Sequence, residues 1–345
     1  MKIKRPLLLP FSPIYGAVTW TRNKLFDFGL LKSEKFKVPV IAVGNLNVGG
    51  TGKTPHTIWV LGLISSKILT AVVSRGYGRK TQGYILANSN SKGEEIGDEP
   101  KEILTQFPNI QLAVAEKRVE GISNLLALSD TPGAIVLDDA FQHRHVNAGL
   151  TILLSTQKDI FTEDIMLPGG NLRETKSGYK RADIIIITKC DKDLSIEQQK
   201  KIVLKINVLP HQKIGFSYFE YGNPINKNGE SLELPQRFVL LTGIAQTEYL
   251  TDYLKTHKCE FEHLSFKDHH SFSGKDYASI RKACEAMGTQ TVLTTSKDFS
   301  RLKSSHKELS QLQILQLPIA VKFLSGGAEI ESQILSFVLG KKAAI

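Results

Sequence analysis

The chain has 345 residues, a length that corresponds to about two domains of ordinary size. Hydrophobic residues make up 41% of it and charged residues 23%, which indicates a globular α/β protein and excludes a disordered or collagen-like chain. The formal net charge of +10 favours anionic partners, a class that includes nucleic acids, phosphorylated metabolites and acidic lipid surfaces.

The N-terminal residues 1–37 combine apolar side chains with eight lysines and arginines and only two acidic residues. Pro6, Pro10 and Pro13 interrupt the first apolar stretch, and residues 14–31 then have the pattern of an amphipathic helix. A secretory signal, a core helix and a helix lying on an anionic membrane leaflet are the three interpretations, and the prolines argue against the signal. No run reaches the roughly 20 apolar residues of a membrane-spanning helix, so membrane contact is expected to be peripheral.

A short apolar strand over residues 38–43 leads into a glycine-rich loop, and a helical segment over residues 55–65 follows. The loop ends in Gly-Lys-Thr, as in the P-loop pattern GxxxxGK[ST], although Asn47 stands where the pattern has its first glycine. In such a loop the backbone N–H groups bind phosphate oxygens, the lysine contacts the β and γ phosphates, and the threonine hydroxyl binds Mg²⁺. The sequence therefore predicts a nucleotide-phosphate site formed by Asn47, Gly49, Gly50, Thr51, Gly52, Lys53 and Thr54.

A second apolar strand, residues 134–137, ends in Asp138 and Asp139. By itself this is a common way for a strand to end in a turn, but beside a P-loop it is where a carboxylate binds or orients Mg²⁺. More polar clusters follow strand-like runs, at residues 74–79, 97–100, 141–144 and 167–174. In a doubly wound sheet such loops meet at the carboxyl edge, where ligands bind.

These segments together resemble the tetraacyldisaccharide 4′-kinases of lipid A biosynthesis. The blocks VGNLNVGGTGKTP, SRGYGRK, GDEP, LDDAFQHR and LPGGNLRE occur in that family's order, and FKDHH and TTSKD continue the series over nearly the whole chain. The resemblance implies that ATP, with Mg²⁺, phosphorylates the 4′-hydroxyl of a tetraacyldisaccharide 1-phosphate to give lipid IVA. It implies an acylated disaccharide phosphate lipid and the anionic inner-membrane leaflet as partners, at the cytoplasmic face of the bacterial inner membrane. Neither nucleic acid nor an obligate protein partner is expected.

The resemblance also implies residue roles by position. Asp98 of GDEP is the expected proton acceptor, supported by His269, which is preferred to His270. The other expected catalytic residues are Lys53 and Arg173. The expected Mg²⁺ ligands are Thr54, Asp138, Asp139 and Glu174. The expected substrate contacts are Arg75, Tyr77, Gln142 and Arg118, of which Arg118 is equally compatible with a structural ion pair.

The chain departs from the family pattern at three places. Residues 243–247 read GIAQT, where the family usually has an Asn-Pro after the Ala, so the loop between the domains is expected to differ in shape. Ser296 of TTSKD stands where the family typically has an acid, and Asn171 of GGNLRE is a smaller change.

The second half begins with a buried-type strand around residues 182–188, which is expected to close the first sheet. It ends in TKCD, which is similar to the guanine-reading NKxD of GTPases, but Thr188 replaces the usual Asn, and a turn is favoured. From Arg237 we predict strands and helices of a second domain, including strand 319–323 and a final helix from residue 328.

The predicted fold class is α/β, with a P-loop NTPase-like, mostly parallel sheet and a second, smaller α/β domain. The predicted parts are a membrane-docking segment 1–37, a kinase domain 38–210, a hairpin-like linker 211–236 and a C-terminal domain 237–345. If His269 must meet Asp98 from the other domain, catalysis needs domain closure. A metal site at the DHH cluster is a weaker alternative because spaced partners are missing.

The residues also leave two alternative functions to consider. One is a P-loop GTPase or metal-delivery ATPase, although Val48 stands where one branch has a signature lysine. The other is a peripheral membrane or nucleic-acid-binding module, for which no aromatic-basic motif is found. The three cysteines are far apart and form no CxxC spacing, which is typical of a reducing cytosol.

Overall fold

The structure, a computed structural model, describes residues 5–268, 270–302 and 307–340. Its strands are β1 (Val40–Asn45), β2 (Thr70–Ser74), β3 (Ile85–Ala87), β4 (Gln111–Val114), β5 (Ala134–Leu137), β6 (Leu150–Thr156), β7 (Ile184–Thr188), β8 (Lys213–Tyr221), β9 (Arg237–Thr242), β10 (Glu260–Ser265), β11 (Thr291–Thr295), β12 (Gln313–Leu317) and β13 (Ile319–Ser325).

The α-helices are α1 (Ser12–Asp27), α2 (Lys53–Ile64), α3 (Gly93–Ile96), α4 (Asp98–Gln106), α5 (Arg118–Leu126), α6 (Ile196–Ile206), α7 (Glu248–Thr256), α8 (Gly274–Met287), α9 (Ser296–Arg301) and α10 (Gly327–Leu339). Short 3₁₀ helices cover Pro6–Phe11, Phe161–Glu163, Lys176–Arg181 and Lys307–Leu309.

The larger sheet has nine strands in the order β13-β8-β7-β6-β1-β5-β2-β4-β3. The strands from β8 to β4 are parallel, and the two edge strands β13 and β3 pair antiparallel to their neighbours. A parallel sheet puts the carboxyl ends of its strands at one edge, so the loops after β1, β5, β2 and β6 gather there.

Both faces of this sheet are buried. In β1, Ile41 and Val43 belong to an apolar cluster with the side chains of α2, α4 and α10, whereas Val40 and Ala42 belong to a second cluster with α5. Successive side chains of a strand point to opposite faces, so a continuous apolar run is what a strand covered by helices on both faces requires. The apolar runs of the sequence are therefore the centre of a doubly wound fold.

The smaller sheet has four parallel strands in the order β10-β9-β11-β12. Helix α8 covers one face with Tyr277 and Ile280, and α7 covers the other with Leu250 and Leu254. We call residues 237–317 the inserted domain, because the chain returns from them to the larger sheet through β13.

The predicted domain limits differ from this topology in three respects. The sequence predicts a linker over 211–236, but β8 occupies residues 213–221 of it and pairs with β7 in the larger sheet. The strand around residues 182–188 is expected to close that sheet, yet β8 and β13 lie beyond it. Strand β13 and helix α10 are predicted to belong to the C-terminal domain, whereas they pack with β8 and α2.

The N-terminal segment begins with a 3₁₀ helix and continues as α1, which ends at Asp27 and so is shorter than the predicted helix. Its polar side chains attach it to the larger domain: the Ser12 hydroxyl donates to Met166 O at 2.9 Å, and the Tyr15 hydroxyl donates to Arg173 O at 3.1 Å. Ile14 and Val18 are each 64% exposed, whereas apolar side chains of a core helix would be buried. Across the described residues, the helices are all too short or too polar to cross a membrane.

Candidate active site

The loop after β1, residues 46–52, is called the phosphate loop here. The Asn45 amide donates to the Thr51 hydroxyl at 2.8 Å, and the Thr188 hydroxyl donates to Thr51 O at 2.9 Å. Gly52 has a left-handed φ of 85°, and α2 begins at the next residue, Lys53. A helix N-terminus directly after such a loop provides free N–H groups and a positive dipole end, which together favour a phosphate.

A buried histidine, to which the sequence motifs assign no role, contacts the end of the phosphate loop. His56 contacts Gly52 O through Nδ1 at 2.8 Å and the Ser217 hydroxyl through Nε2 at 3.0 Å. Burial lowers the pKa of His56 to about 4, so the ring is neutral at physiological pH. We therefore assign it to supporting the loop.

Three charged side chains meet beside the phosphate loop. Lys53 Nζ lies 3.7 Å from Asp139 Oδ2, and Arg173 Nη1 lies 3.1 Å from Asp139 Oδ1. Burial raises the pKa of Asp139, but the charges of Lys53 and Arg173 outweigh it and hold the pKa below its ordinary value. The site thus contains two cations and one carboxylate that stays ionised, an arrangement suited to a polyphosphate with a divalent cation.

Gln142 joins this group to the end of β1. Its amide donates to Asn45 O at 2.8 Å, and its carbonyl oxygen accepts from Arg173 Nη1 at 3.2 Å. Arg173 Nη2 in turn donates to Asn45 Oδ1 at 2.8 Å. The structure therefore brings Lys53, Asp139, Gln142 and Arg173 together, as the sequence predicts.

Asp138, the residue before Asp139, is buried, with only 3% of its surface exposed. It accepts a hydrogen bond from the Thr57 hydroxyl at 2.9 Å, and burial together with the charge of Asp139 raises its pKa to about 6. The described residues contain no cluster of three or more His, Cys, Asp or Glu placed for a metal. The oxygen donors of Thr54, Asp138 and Asp139 nevertheless fit Mg²⁺, which commonly uses one or two carboxylates and completes its shell with phosphate oxygens and water.

Glu174, an expected Mg²⁺ ligand, lies in a different environment. It is buried, and its carboxylate accepts hydrogen bonds from Asn23 at 2.7 Å, Gln142 at 3.1 Å and Arg181 at 2.9 Å. Through these contacts Glu174 ties α1 to the loop after β6. The structure thus places Glu174 where it supports Gln142 and the N-terminal helix.

The expected substrate contacts are split between surface and interior. Arg75 and Tyr77 follow β2 at the carboxyl edge and are exposed, Tyr77 by 67%. Arg118 is 2% exposed and donates to Ala115 O at 2.7 Å and Asp138 O at 3.4 Å. Arg118 therefore lies under the turn after β5, whereas Arg75 and Tyr77 are accessible to a ligand.

Asp98 begins α4, one residue after Gly97, whose φ of 94° turns the chain against Gly76. Because Gly76 follows β2 and β2 lies next to β5, Asp98 is on the same edge of the sheet as the phosphate loop. Its carboxylate contacts Arg301 of the inserted domain, with Arg301 Nη2 at 2.7 Å from Oδ2.

The expected partner of Asp98, His269, lies outside the described residues. His270 contacts Asp276 Oδ2 at 3.1 Å and stacks on Phe266 at 4.6 Å between ring centroids, so it is part of the inserted domain's own packing. Lys189 of TKCD and Arg301, neither of which is among the expected site residues, form contacts between the domains.

Lys189 forms a second contact between the domains. Its Nζ donates to Gln246 Oε1 at 2.5 Å, and burial lowers its pKa to about 8. Gln246 is one of the residues at which the chain departs from the Asn-Pro pattern. A cavity of about 300 Å³ lies here between the two domains, lined by the phosphate loop, Ala245, Gln246 and the loop after β6.

The chain is similar over most of its length to proteins of one known family. A sequence model of the family LpxK, tetraacyldisaccharide-1-P 4′-kinase, matches residues 4–338. The chain belongs to this family. A tetraacyldisaccharide 4′-kinase of Flavobacterium johnsoniae is 44% identical over 342 residues, which is 98% of each chain. One of Bacteroides fragilis is 42% identical over 333 residues, covering 92% of this chain and 88% of that one.

A solved structure of an LpxK is also similar to the whole chain. The crystal structure of LpxK from Aquifex aeolicus in complex with ATP superposes with a TM-score of 0.76 at 27% identity, covering 96% of this chain and 98% of that one. The family resemblance and the α/β fold class with a large and a small parallel sheet are thereby confirmed. The 4′-kinase family acts on a lipid disaccharide, so the predicted class of substrate is confirmed as well.

Proposed function

We propose that the chain transfers the γ-phosphoryl group of ATP to the 4′-hydroxyl of tetraacyldisaccharide 1-phosphate through a site formed by the phosphate loop, Lys53, Arg173 and Asp98. The observation that carries the proposal is the convergence of Lys53 and Arg173 on Asp139, at 3.7 and 3.1 Å, beside the P-loop of a chain matched over residues 4–338 by a 4′-kinase family. The LpxK solved with ATP supports the choice of nucleotide.

Different residues of the site perform different parts of the phosphoryl transfer. Lys53 and Arg173 neutralise charge on the transferred group and fix its position. The 4′-oxygen forms the new P–O bond, the bond to the β–γ bridging oxygen breaks, and ADP leaves with that electron pair. The hydroxyl proton passes to the Asp98 carboxylate. Mg²⁺, held by Thr54, Asp138 and Asp139, supplies further charge neutralisation when it is bound.

Arg75, Tyr77 and Gln142 are the proposed contacts for the acceptor. Arg75 and Tyr77 are exposed beside Asp98, and Gln142 contacts Arg173, so the three border the same edge of the sheet. An arginine and a tyrosine suit a phosphorylated sugar because they donate hydrogen bonds to phosphate and hydroxyl oxygens.

We also propose that the N-terminal segment binds the cytoplasmic leaflet of the inner membrane. Leu7 is 90% exposed and Phe11 57%, and Ile14 and Val18 add apolar surface on α1, in a segment rich in lysine and arginine. Apolar side chains in the acyl boundary and cations among the headgroups are how a peripheral helix binds an anionic membrane. Such binding brings the site to an acceptor that its acyl chains keep in the leaflet.

The decisive experiment is incubation with ATP, Mg²⁺ and tetraacyldisaccharide 1-phosphate in mixed micelles, with Lys53→Ala and Asp98→Asn as variants. We expect phosphorylated lipid from the parent and a rate at least about 100-fold lower for Asp98→Asn, because general-base assistance is lost. Equal rates for Asp98→Asn and the parent would refute the assignment of Asp98. Nucleotide hydrolysis with no phosphorylated lipid would instead favour the GTPase or metal-delivery ATPase.

A further inference from the structure

Two side chains of α9, in the inserted domain, form ion pairs with the first turn of α4. Arg301 approaches one oxygen of Asp98 with two nitrogens, Nε at 2.9 Å and Nη2 at 2.7 Å. Lys297 Nζ lies 3.0 Å from Glu99 Oε1. Both contacts run from the small sheet to the large one, so the orientation of the Asp98 carboxylate depends on the inserted domain.

Arg301 is itself fixed before it reaches Asp98. Its Nη1 donates to Asp298 Oδ1 at 2.9 Å and to Gly243 O at 3.0 Å, and its side chain is only 7% exposed. Asp298 is fully buried and accepts from Gly243 N at 2.9 Å and from the Thr295 hydroxyl at 2.8 Å. The guanidinium is therefore held rigidly by the inserted domain, with Nε and Nη2 directed at Asp98.

Such a contact differs from an ordinary surface salt bridge. An exposed pair contributes little because ordering two flexible side chains opposes the attraction and water screens it. Here the guanidinium is buried and held from the other side, so little further ordering is needed when Asp98 binds. A fixed donor pair on one carboxylate oxygen also restricts the rotation of the carboxylate.

We propose that Arg301, held by Asp298, is a positioning residue for phosphoryl transfer: it orients the Asp98 carboxylate and keeps it ionised, so that proton acceptance depends on the docked inserted domain. The proposal rests on the proposed function, because it takes Asp98 as the proton acceptor. Arg301 acts through Asp98 and is not assigned a contact with the substrate.

Groups of both charges lie around the Asp98 carboxylate and affect its pKa in opposite directions. Arg301 contacts this carboxylate with two nitrogens, both within 2.9 Å. The charged or titratable groups near this contact include Glu99 and Glu102 on α4, Lys297 and Asp298 on α9, and Asp268 after β10. Lys297 is shared between Glu99 and Asp268, at 3.0 and 3.4 Å. Loss of Arg301 removes a positive charge in direct contact with the Asp98 carboxylate, which raises the pKa of that carboxyl.

The test compares Arg301→Gln, Arg301→Lys and the parent by single-turnover phosphorylation of the lipid from pH 5 to pH 9. For Arg301→Gln we expect the acidic limb of the rate profile to move up by about one pH unit, because an opposite charge in contact lowers a carboxyl pKa by roughly that much or more. At pH 7 we expect the rate to fall roughly tenfold, while the KM for ATP stays unchanged. Arg301→Lys keeps the charge, so its acidic limb should match the parent while its rate is intermediate.

Two controls make the outcome specific. Arg281→Gln removes an exposed arginine of α8 that pairs with Glu285 and Glu308, and we expect it to leave the profile unchanged. Thermal unfolding shows whether Arg301→Gln is folded. If it is not, Arg301→Lys decides, since an unaltered rate in that variant contradicts positioning by the two nitrogens.

The result that overturns the proposal is a lowered rate for Arg301→Gln with an unmoved acidic limb, which a merely structural role would give. Asp98→Asn separates this from a failure of the proposed function. If Asp98→Asn is inactive and Arg301→Gln does not move the limb, only the positioning role is lost. If Asp98→Asn is fully active, Asp98 is not the proton acceptor and both proposals fail.

Discussion

The conformation of the phosphate loop depends on Gly52. Gly52 has a left-handed φ of 85°, and a Cβ added there would lie 2.7 Å from Cζ of Phe219. A side chain at this position therefore meets two obstacles, an unfavourable backbone conformation and an aromatic ring. The residue just before Lys53 has to be glycine for the chain to turn from β1 into α2.

We expect Gly52→Ala to weaken ATP binding at least tenfold, because the loop must leave its left-handed conformation to accept the methyl group. The measurement is the Kd for ATP by titration calorimetry. Gly62→Ala is the matched control: Gly62 lies in α2, and a methyl group added there would have nothing within 4 Å, so this variant should keep the affinity and raise the melting temperature. Equal affinities for the two variants would contradict this explanation of Gly52.

Glu102 makes folding stability depend on pH. Burial, followed by smaller opposing effects of Lys297 and Glu99, raises the pKa of this α4 carboxyl from 4.5 to about 7. The folded protein then keeps a proton between those values that the unfolded chain releases, so the free energy of unfolding falls as pH rises from 4.5 to 7. We expect Glu102→Gln to be more stable than the parent by on the order of 1 kcal/mol at about pH 8, and by much less at about pH 5.

Thermal unfolding of both proteins at these two pH values checks this. A stability difference that is the same at both would mean that Glu102 does not change its protonation state between these pH values, so its effect on stability would not come from titration.

At the scale of elements, the sequence predicts what is local and misses what depends on distant pairing. The apolar runs of β1, β5 and β7 and the helix α2 are all present, because burial on both faces and helical periodicity depend on consecutive residues. Strand β8 has a weaker pattern, which favours a linker: Gly222 and Pro224 follow it, and several of its side chains are only half-buried. Its place in the sheet depends on β7 and on the remote β13.

The candidate site shows the same division. Lys53, Asp139, Gln142 and Arg173 meet as predicted, since the carboxyl edge of a parallel sheet collects its loops. The burial of Arg118 and the pairing of Glu174 with Arg181 depend on three-dimensional packing and are not readable from the motifs.

The apolar side of the N-terminal helices is expected to determine membrane binding. Replacing Ile14 and Val18, each 64% exposed, by Glu should reduce co-sedimentation with phosphatidylglycerol vesicles at least tenfold, because charges enter the acyl boundary. Leu204→Glu on α6 is the matched control, since Leu204 is 80% exposed on another element, and it should bind as the parent does. An equal loss in both proteins would show that the N-terminal segment is not the docking element.

In the molecule as a whole, the second domain is an insertion into a hairpin of the first. Strands β8 and β13 pair antiparallel, with Tyr221 opposite Ile319, and Gly222 N donates to Pro318 O at 3.0 Å. The chain thus leaves the large sheet after Tyr221, forms the inserted domain and returns directly beside the point where it left. Helix α10 then packs its buried Ile330 and Ile334 with Val60 of α2 in one apolar cluster.

This arrangement predicts that the inserted domain can be removed without unfolding the rest. Replacing residues 223–317 by Asn-Gly joins β8 to β13 through a two-residue turn that suits an antiparallel hairpin. We expect the shortened protein to be folded and to bind ATP, while its transfer of phosphate to the lipid is abolished because Arg301 and the rest of the inserted domain are missing. Truncation after residue 317 is the contrasting variant, and it should unfold because β13 and the buried residues of α10 are lost. Circular dichroism and ATP titration distinguish the two, and a folded truncation beside an unfolded excision would reverse our assignment of β13 and α10 to the large domain.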